Sequence, residues 1–523
     1  MPRPAGPPFD GNTADIVICS LDDVAFKLHR VILCIASEFF KDMLSLPQPS
    51  TDERGSSADL LEFDGLPSVR VSEQSDVLER LFRLCYPVDD PPLQTMGEVR
   101  STLEAAMKYQ MAEAIKITKR RLLALARNDP LRVYAVACCF NLEEEASVAA
   151  KEVLKQNAHE DYVDELEDIS IGAYHRLLSY CERRGRVRDQ YKFTIHRTSG
   201  RGTSVTSTPT LDAVALDTPD AALEPRAALD PFNDPEAEVT LVTADGVEFR
   251  VFKKILQFSS PVLYSTAKEL LASDRTTVHV AEPSRILDIL LRLCYPVLEP
   301  DIEDLHDISI ALAAAEKYNM QRASQVLRAA LASRRDTSSA DSDPVVLYAM
   351  ACRFDMRDLA VAAARRALRT EIMRSSVSEL DTIGVSGGCL YRLLEYQRRC
   401  KSAIRSIFNG TDWIESDMLA RLQDCCSLQV YHPTRNPCWY DEYMSCIGEQ
   451  GWPKVEMVQD DLFLLTVLES AEKVQRMNYS SCSSCFDRRG TFLLISFSKC
   501  VAKAIEALEK KVTLKWTVPP QAQ

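Results

Sequence analysis

The octamer LFRLCYPV at Leu81–Val88 returns as LLRLCYPV at Leu290–Val297, with only its second residue changed. At the same offset of 209 residues, AAMKYQM (Ala105–Met111) matches AAEKYNM (Ala314–Met320). Two matches at one spacing point to a long internal repeat, so the chain must build one architecture twice. Leu78, Leu81, Phe82 and Cys85 fall on one face of a helix, as do Leu287, Leu290, Leu291 and Cys294, and both faces read as buried. Pro87 and Pro296 then stop these helices, because proline lacks a donor and drives the preceding tyrosine out of the helical region.

The beginning of each copy is extended. ADIVICSLDDVAFKLHRVIL, from Ala14, offers a β-branched run, an Asp22-Asp23 turn and an alternating Val24, Phe26, Leu28 face, which together predict a hairpin. AEVTLVTADGVEFRVFKKIL, from Ala237, repeats this with Asp245-Gly246 at the turn, where positive φ is needed. The hairpins are 223 residues apart, so the first copy carries ~14 additional residues before its octamer. PQPSTDERGSSADLLEFDG (47–65) accounts for them and reads as a surface loop. Later, DPLRVYAVACCF from Asp129 matches DPVVLYAMACRF from Asp343, each with aspartate at the N-cap and proline at the first helical position. YHRLLSYCERR from Tyr174 parallels LYRLLEYQRRC from Leu390, so each copy ends in several helices.

Composition narrows the class of function. With 46% hydrophobic and 26% charged residues in 523, the chain reads as globular, and a net charge of -14 argues against nucleic acid or an anionic membrane as partner. No apolar run approaches the ~18 residues of a membrane span. The seventeen cysteines are an odd number, and MPRPAGPPFD lacks the basic-then-apolar layout of a secretory signal. Free thiols in a reducing cytoplasm or nucleus are the expectation.

The stretch DIVICSLDDVAFKLHRVILCIASEFFKDML, Asp15 to Leu44, resembles the opening of a BTB/POZ domain: Asp15 before the first strand, Phe26, His29-Arg30, Leu33, Ser37, then Phe39-Phe40. The octamer and AAMKYQM fall where that family's later helices stand, and the following helices resemble the extension that often comes after a BTB domain. The layout is most similar to BTB-domain proteins of fungi, which commonly add a cysteine-containing tail. The resemblance implies an α+β, mostly helical chain of two tandem BTB/POZ-like units, each with a helical extension. The expected boundaries are 9–125 for the first unit, 126–196 for its extension, 197–231 for a linker, 232–334 for the second unit, 335–405 for its extension and 406–518 for a mostly helical C-terminal domain. It also implies that Asp15, His29, Arg30, Phe39 and Phe40 lie at a protein interface, the first three near a charged pocket. The residues themselves leave a second reading open, a local hydrogen-bond set tying the hairpin to its helix. In the second unit Glu238 replaces Asp15, Phe252 replaces His29, and Val262-Leu263 replace Phe39-Phe40, which keeps the fold pattern better than the binding pattern.

The linker, rich in Ser, Thr, Asp, Ala and Pro, has a coil reach of roughly 30 to 35 Å for ~35 residues. Since BTB domains usually pair, self-association or pairing of the two units within one chain follows as an expectation.

The tail beyond Ser406 holds Cys425, Cys426, Cys438, Cys446, Cys482, Cys485 and Cys500. Cys482-Ser-Ser-Cys485 has the spacing at which one turn presents two thiolates to zinc, with Cys438 and Cys446 as the further ligands and His432 nearby. No cofactor is expected: buried reduced thiols are the first reading of these cysteines, and a structural zinc is the alternative. Gly384-Val385-Ser386-Gly387-Gly388 matches the G-x-S-x-G of a hydrolase nucleophile elbow, but a helical pattern rather than a strand precedes it. The expectation is a non-enzymatic protein-binding protein that dimerises through its BTB units. The resemblance adds a substrate-adaptor role with a cullin scaffold as partner, against a transcriptional or structural scaffold without a ligase and, third, a serine hydrolase.

Overall fold

The computed structural model describes residues 2–45, 60–188, 190–194, 226–272, 277–335, 343–370, 372–408, 410–425, 436–449, 453–477 and 482–516. The expected linker up to residue 225, most of the 47–65 excursion, Cys426 and His432 lie outside them. The fold is α+β and mostly helical. It divides into two compact units, residues 1–202 with 386–388, and residues 203–385 with 389–523.

The first unit is built on a five-stranded sheet in the order Arg3–Pro4, Val24–Leu28, Ile16–Cys19, Leu66–Arg70, Leu60–Phe63. Ile16–Cys19 and Val24–Leu28 form the expected antiparallel hairpin, with Ile18 opposite Phe26. Asp23 takes the positive φ of the turn. Alternation then sends side chains to both faces. On one, Val17, Cys19 and Ala25 pack with Phe63 and Leu66. On the other, Phe26 meets Phe9 and Phe82 edge to face at 5.8 and 5.6 Å.

The 47–65 excursion is not all loop, since Leu60–Phe63 pairs antiparallel with Leu66–Arg70. Ahead of residue 9, Arg3–Pro4 pairs in parallel with Val24–Ala25 at the edge of the sheet.

Helices Arg30–Ala36 and Glu38–Ser45 leave the hairpin, and Ser75–Arg83, Met96–Lys108 and Ala112–Leu125 follow the sheet. Leu78, Leu81 and Phe82 are fully buried, as their spacing requires. The extension adds Pro130–Cys139, Glu143–Gln156 and Ile171–Glu182. Asp129 stands at the N-cap of the first, but its side chain caps no N–H. Its counterpart Asp343 does, accepting the Val345 N–H at 2.8 Å.

The second unit repeats the plan on a four-stranded sheet, Arg226–Ala227, Val247–Val251, Val239–Val242, Thr277–His279. The short first strand, Arg226–Ala227, lies in the segment expected as linker and pairs in parallel with Val247–Glu248. Gly246 supplies the positive φ of its hairpin turn. Helices Lys253–Ser259, Pro261–Ala272, Ser284–Cys294, Leu305–Lys317 and Gln321–Ser333 match those of the first unit. Pro344–Arg353, Arg357–Ala367, Val377–Ile383 and Gly387–Phe408 form the extension. The last helix crosses the boundary expected at residue 405.

The C-terminal helices, Ser416–Gln423, Tyr440–Glu449, Val455–Val458, Asp461–Met477, Ser483–Phe486 and Arg488–Lys511, enclose a core of their own. Phe497 is its hub, with Trp439, Tyr440 and Tyr443 rings 5.3 to 5.9 Å away. Among the described residues no helix is long and apolar enough to cross a membrane.

Candidate protein-interaction face and thiol cluster

The junction between hairpin and first helix uses the same hydrogen bonds in both repeats. Asp15 Oδ1 accepts the Arg30 N–H at 2.7 Å, and Glu238 Oε2 accepts the Lys253 N–H at 3.0 Å. Each carboxylate satisfies a first-turn donor that has no partner within its helix. The longer glutamate replaces aspartate without loss of this function. The His29 N–H goes to the Tyr86 hydroxyl at 2.9 Å, and the Phe252 N–H goes to Tyr295 at 3.0 Å. A ring at position 29 is therefore not needed for the bond. Where histidine is present, its ring also reaches Thr13 Oγ1 at 3.0 Å and Tyr86 Oη at 3.2 Å. The repeated octamer carries the tyrosine that ties this junction. Burial pushes both phenols above their ordinary pKa, against the opposing effect of the N–H donors.

A second pair of conserved contacts fixes the next turn. Ser37 Oγ donates to the Tyr109 carbonyl at 2.5 Å and accepts the Phe40 N–H at 3.0 Å. Ser260 repeats this with Tyr318 at 2.7 Å and Leu263 at 3.2 Å. Tyr109 and Tyr318 in turn donate to Glu73 and Glu282. Lys108 and Lys317 bridge the same two carboxylates at 2.5 and 2.8 Å.

These contacts separate the residues expected at the interface. Phe40 is fully buried and stacks on Tyr109 at a centroid distance of 5.0 Å, so it is a core residue and no surface contact. Phe39 is 38% exposed. Asp15 and His29 are occupied in the junction, and Arg30 is half-buried beside them.

The exposed apolar surface on this helix belongs to residues the sequence reading passed over, Val31 at 62% and Ile35 at 83%. They stand one turn apart while Leu33 faces the core, a spacing that could have marked them. The second unit keeps the feature at Phe258, 79% exposed, and Val262, 40% exposed, with the Lys254 ammonium 5.2 Å from the Phe258 ring.

The C-terminal core brings cysteines together. The Sγ atoms of Cys438, Cys482 and Cys485 lie within 4.8 Å of one another, and all three residues are buried. Cys482 is the N-cap of the short helix Ser483–Phe486 and Cys485 lies within it. Cys438 comes from the turn before Tyr440–Glu449, and its backbone N–H donates to Cys485 Sγ at 3.4 Å. Cys425, just past the helix Ser416–Gln423, donates its thiol to the Ser484 carbonyl at 3.9 Å, beside this turn. The Cys425 and Cys438 hydrogen bonds hold the Cys485 thiol far below its ordinary pKa, despite burial.

Cys446, expected in this group, lies elsewhere. It sits two turns along Tyr440–Glu449, within 3.9 Å of the Glu442 carboxylate, and burial together with that charge raises its pKa. Cys425 stands beside the Cys482–Cys485 turn instead, through its contact with the Ser484 carbonyl. Sequence spacing does not mark it, because twelve residues separate it from Cys438.

Ser386 follows the helix Val377–Ile383, whose C-cap is Gly384 with φ +75°, and precedes the helix Gly387–Phe408. A nucleophile elbow needs a strand at that place.

No curated protein matches the chain. The BTB/POZ domain family matches two separate segments of it, residues 9–124 and 230–335, in line with two BTB/POZ-like units, whose kind mediates protein–protein interaction.

Proposed function

We propose that this chain is a non-enzymatic adaptor that works in the cytoplasm or nucleus. In this reading its BTB/POZ-like units associate through the helix after each hairpin and present a bound target to a cullin-based ubiquitin ligase. The exposed apolar side chains Val31 and Ile35 on the helix after the hairpin, with Phe39 at the start of the next helix, carry the reading, since a folded domain keeps such side chains outside mainly where another surface covers them. The position of Phe258 and Val262 supports it from the second unit.

The test has two arms. Mass in solution, by light scattering of the full chain, is compared with that of Ile35→Lys and Phe258→Lys. A dimer lost in either variant supports pairing between chains through this helix. The N-terminal region of the host's cullin is then titrated against the chain by calorimetry, with Phe39→Ala as the control of unchanged fold. Stoichiometric binding weakened by that change supports the adaptor role. Absence of heat at tens of micromolar sinks it and leaves a transcriptional or structural scaffold built on the same pairing surface.

A further inference from the structure

We propose that Cys425, Cys438, Cys482 and Cys485 form a tetrahedral thiolate site for one zinc ion, and that this ion is a structural part of the C-terminal domain.

The geometry points to a metal. In a tetrahedron with Zn–S bonds of ~2.3 Å the sulfurs stand ~3.8 Å apart. Three of the four thiols already lie within 4.8 Å of each other, so a contraction of about 1 Å at most brings these three to the spacing of zinc ligands. The fourth, Cys425, stands outside that mutual distance, with its Sγ 3.9 Å from the Ser484 carbonyl in the turn that carries Cys482 and Cys485. The ligands come from three separate parts of the domain: one after the helix Ser416–Gln423, one before Tyr440–Glu449, and two from the single turn at Ser483–Phe486. An ion at their centre would cross-link segments that are far apart in sequence, which is how a small domain gains stability from a metal.

The surroundings fit the same role. The Cys438 N–H already points at the Cys485 sulfur, the kind of outer hydrogen bond that steadies a thiolate ligand. The cysteines belong to the core around Trp439, Tyr443 and Phe497, so water is kept from the site. An all-thiolate donor set favours zinc over calcium or magnesium, which take oxygen ligands. Iron shares the preference for four sulfurs, and the two metals are told apart by elemental analysis. The site does not depend on the adaptor reading, because it concerns the C-terminal domain alone.

The full chain, purified under reducing conditions without chelator, is analysed by inductively coupled plasma mass spectrometry. One zinc per chain is expected. Cobalt exchanged into the same protein is expected to give the visible ligand-field bands of a tetrahedral thiolate site, a readout that needs no variant to fold. Cys425→Ser, at the least buried position, is expected to weaken zinc by at least the ~10–100-fold that loss of an outer partner costs. Cys446→Ser is expected to retain the ion in full. A chain free of metal after expression with zinc and giving no such cobalt bands would overturn the proposal. So would iron in place of zinc, a Cys482–Cys485 disulfide in freshly prepared protein, or loss of the ion from Cys446→Ser with retention in Cys425→Ser.

Discussion

The Tyr86 hydroxyl accepts the backbone N–H of His29 at 2.9 Å, across 57 residues of chain. Tyr295 makes the same bond to Phe252, where no histidine remains. Replacing either tyrosine by phenylalanine leaves a half-buried N–H without its acceptor, at a cost of about 1–3 kcal/mol. Because the lost bond anchors one helix N-terminus, the change should appear locally. Hydrogen exchange in Tyr295→Phe is expected to quicken across Lys253–Ser259 while the hairpin Val239–Val251 stays protected.

Ser37 and Ser260 are both fully buried and each joins a carbonyl to an N–H of a different segment. Ser37→Ala or Ser260→Ala strands both partners, so each is expected to lower stability by about 1–3 kcal/mol. The two costs should be similar, since the contacts are equivalent. Urea unfolding measures them, with the midpoint falling and the slope unchanged.

Asp22 accepts the Ser75 N–H at 2.8 Å and its hydroxyl at 2.7 Å, and the Ser75 hydroxyl is the main cause that holds its pKa down at about 2. A carboxyl depressed in the folded state contributes stability that is fully present above the unfolded value of about 3.9 and is lost as pH falls toward 2. The first unit is therefore expected to lose stability over that window. In Asp22→Asn this part of the acid sensitivity should vanish, as read from thermal unfolding at pH 4, 3 and 2. A slope unchanged by the substitution would contradict the assignment.

Gly490 lies in the first turn of Arg488–Lys511, directly over the backbone of Cys485. A Cβ there would fall inside contact distance of the Cys485 carbonyl, which cannot move without shifting the thiol cluster. Gly490→Ala is expected to destabilise the C-terminal domain by about 1–3 kcal/mol, as overpacking does. Gly97, in the helix Met96–Lys108, has open space where its Cβ would be. Gly97→Ala is expected to be neutral or to gain about 0.4–1 kcal/mol. Differential scanning calorimetry of the two variants checks the contrast.

Much of the architecture was legible because it is local or repeated. A β-branched run interrupted by Asp22-Asp23 or Asp245-Gly246 forms a hairpin through its own backbone preferences. The apolar spacing of Leu78, Leu81 and Phe82 marks a helix face wherever that helix docks. The strand at Leu60–Phe63 was hidden, because it follows a polar, turn-forming stretch and is held by pairing with Leu66–Arg70.

The sequence by itself determined the duplication, the hairpins and the helical faces, since these follow from neighbours along the chain. Only the tertiary structure decided that Phe40 turns inward onto Tyr109 while Phe39, Val31 and Ile35 stay outside. It alone showed Asp15 bonding the first turn of a helix, and it alone put Cys438 with Cys482 and Cys485 while Cys446 lies against Glu442. Such meetings join residues from 15 to 69 positions apart, and they are set by how helices pack around a shared core, which no local periodicity encodes.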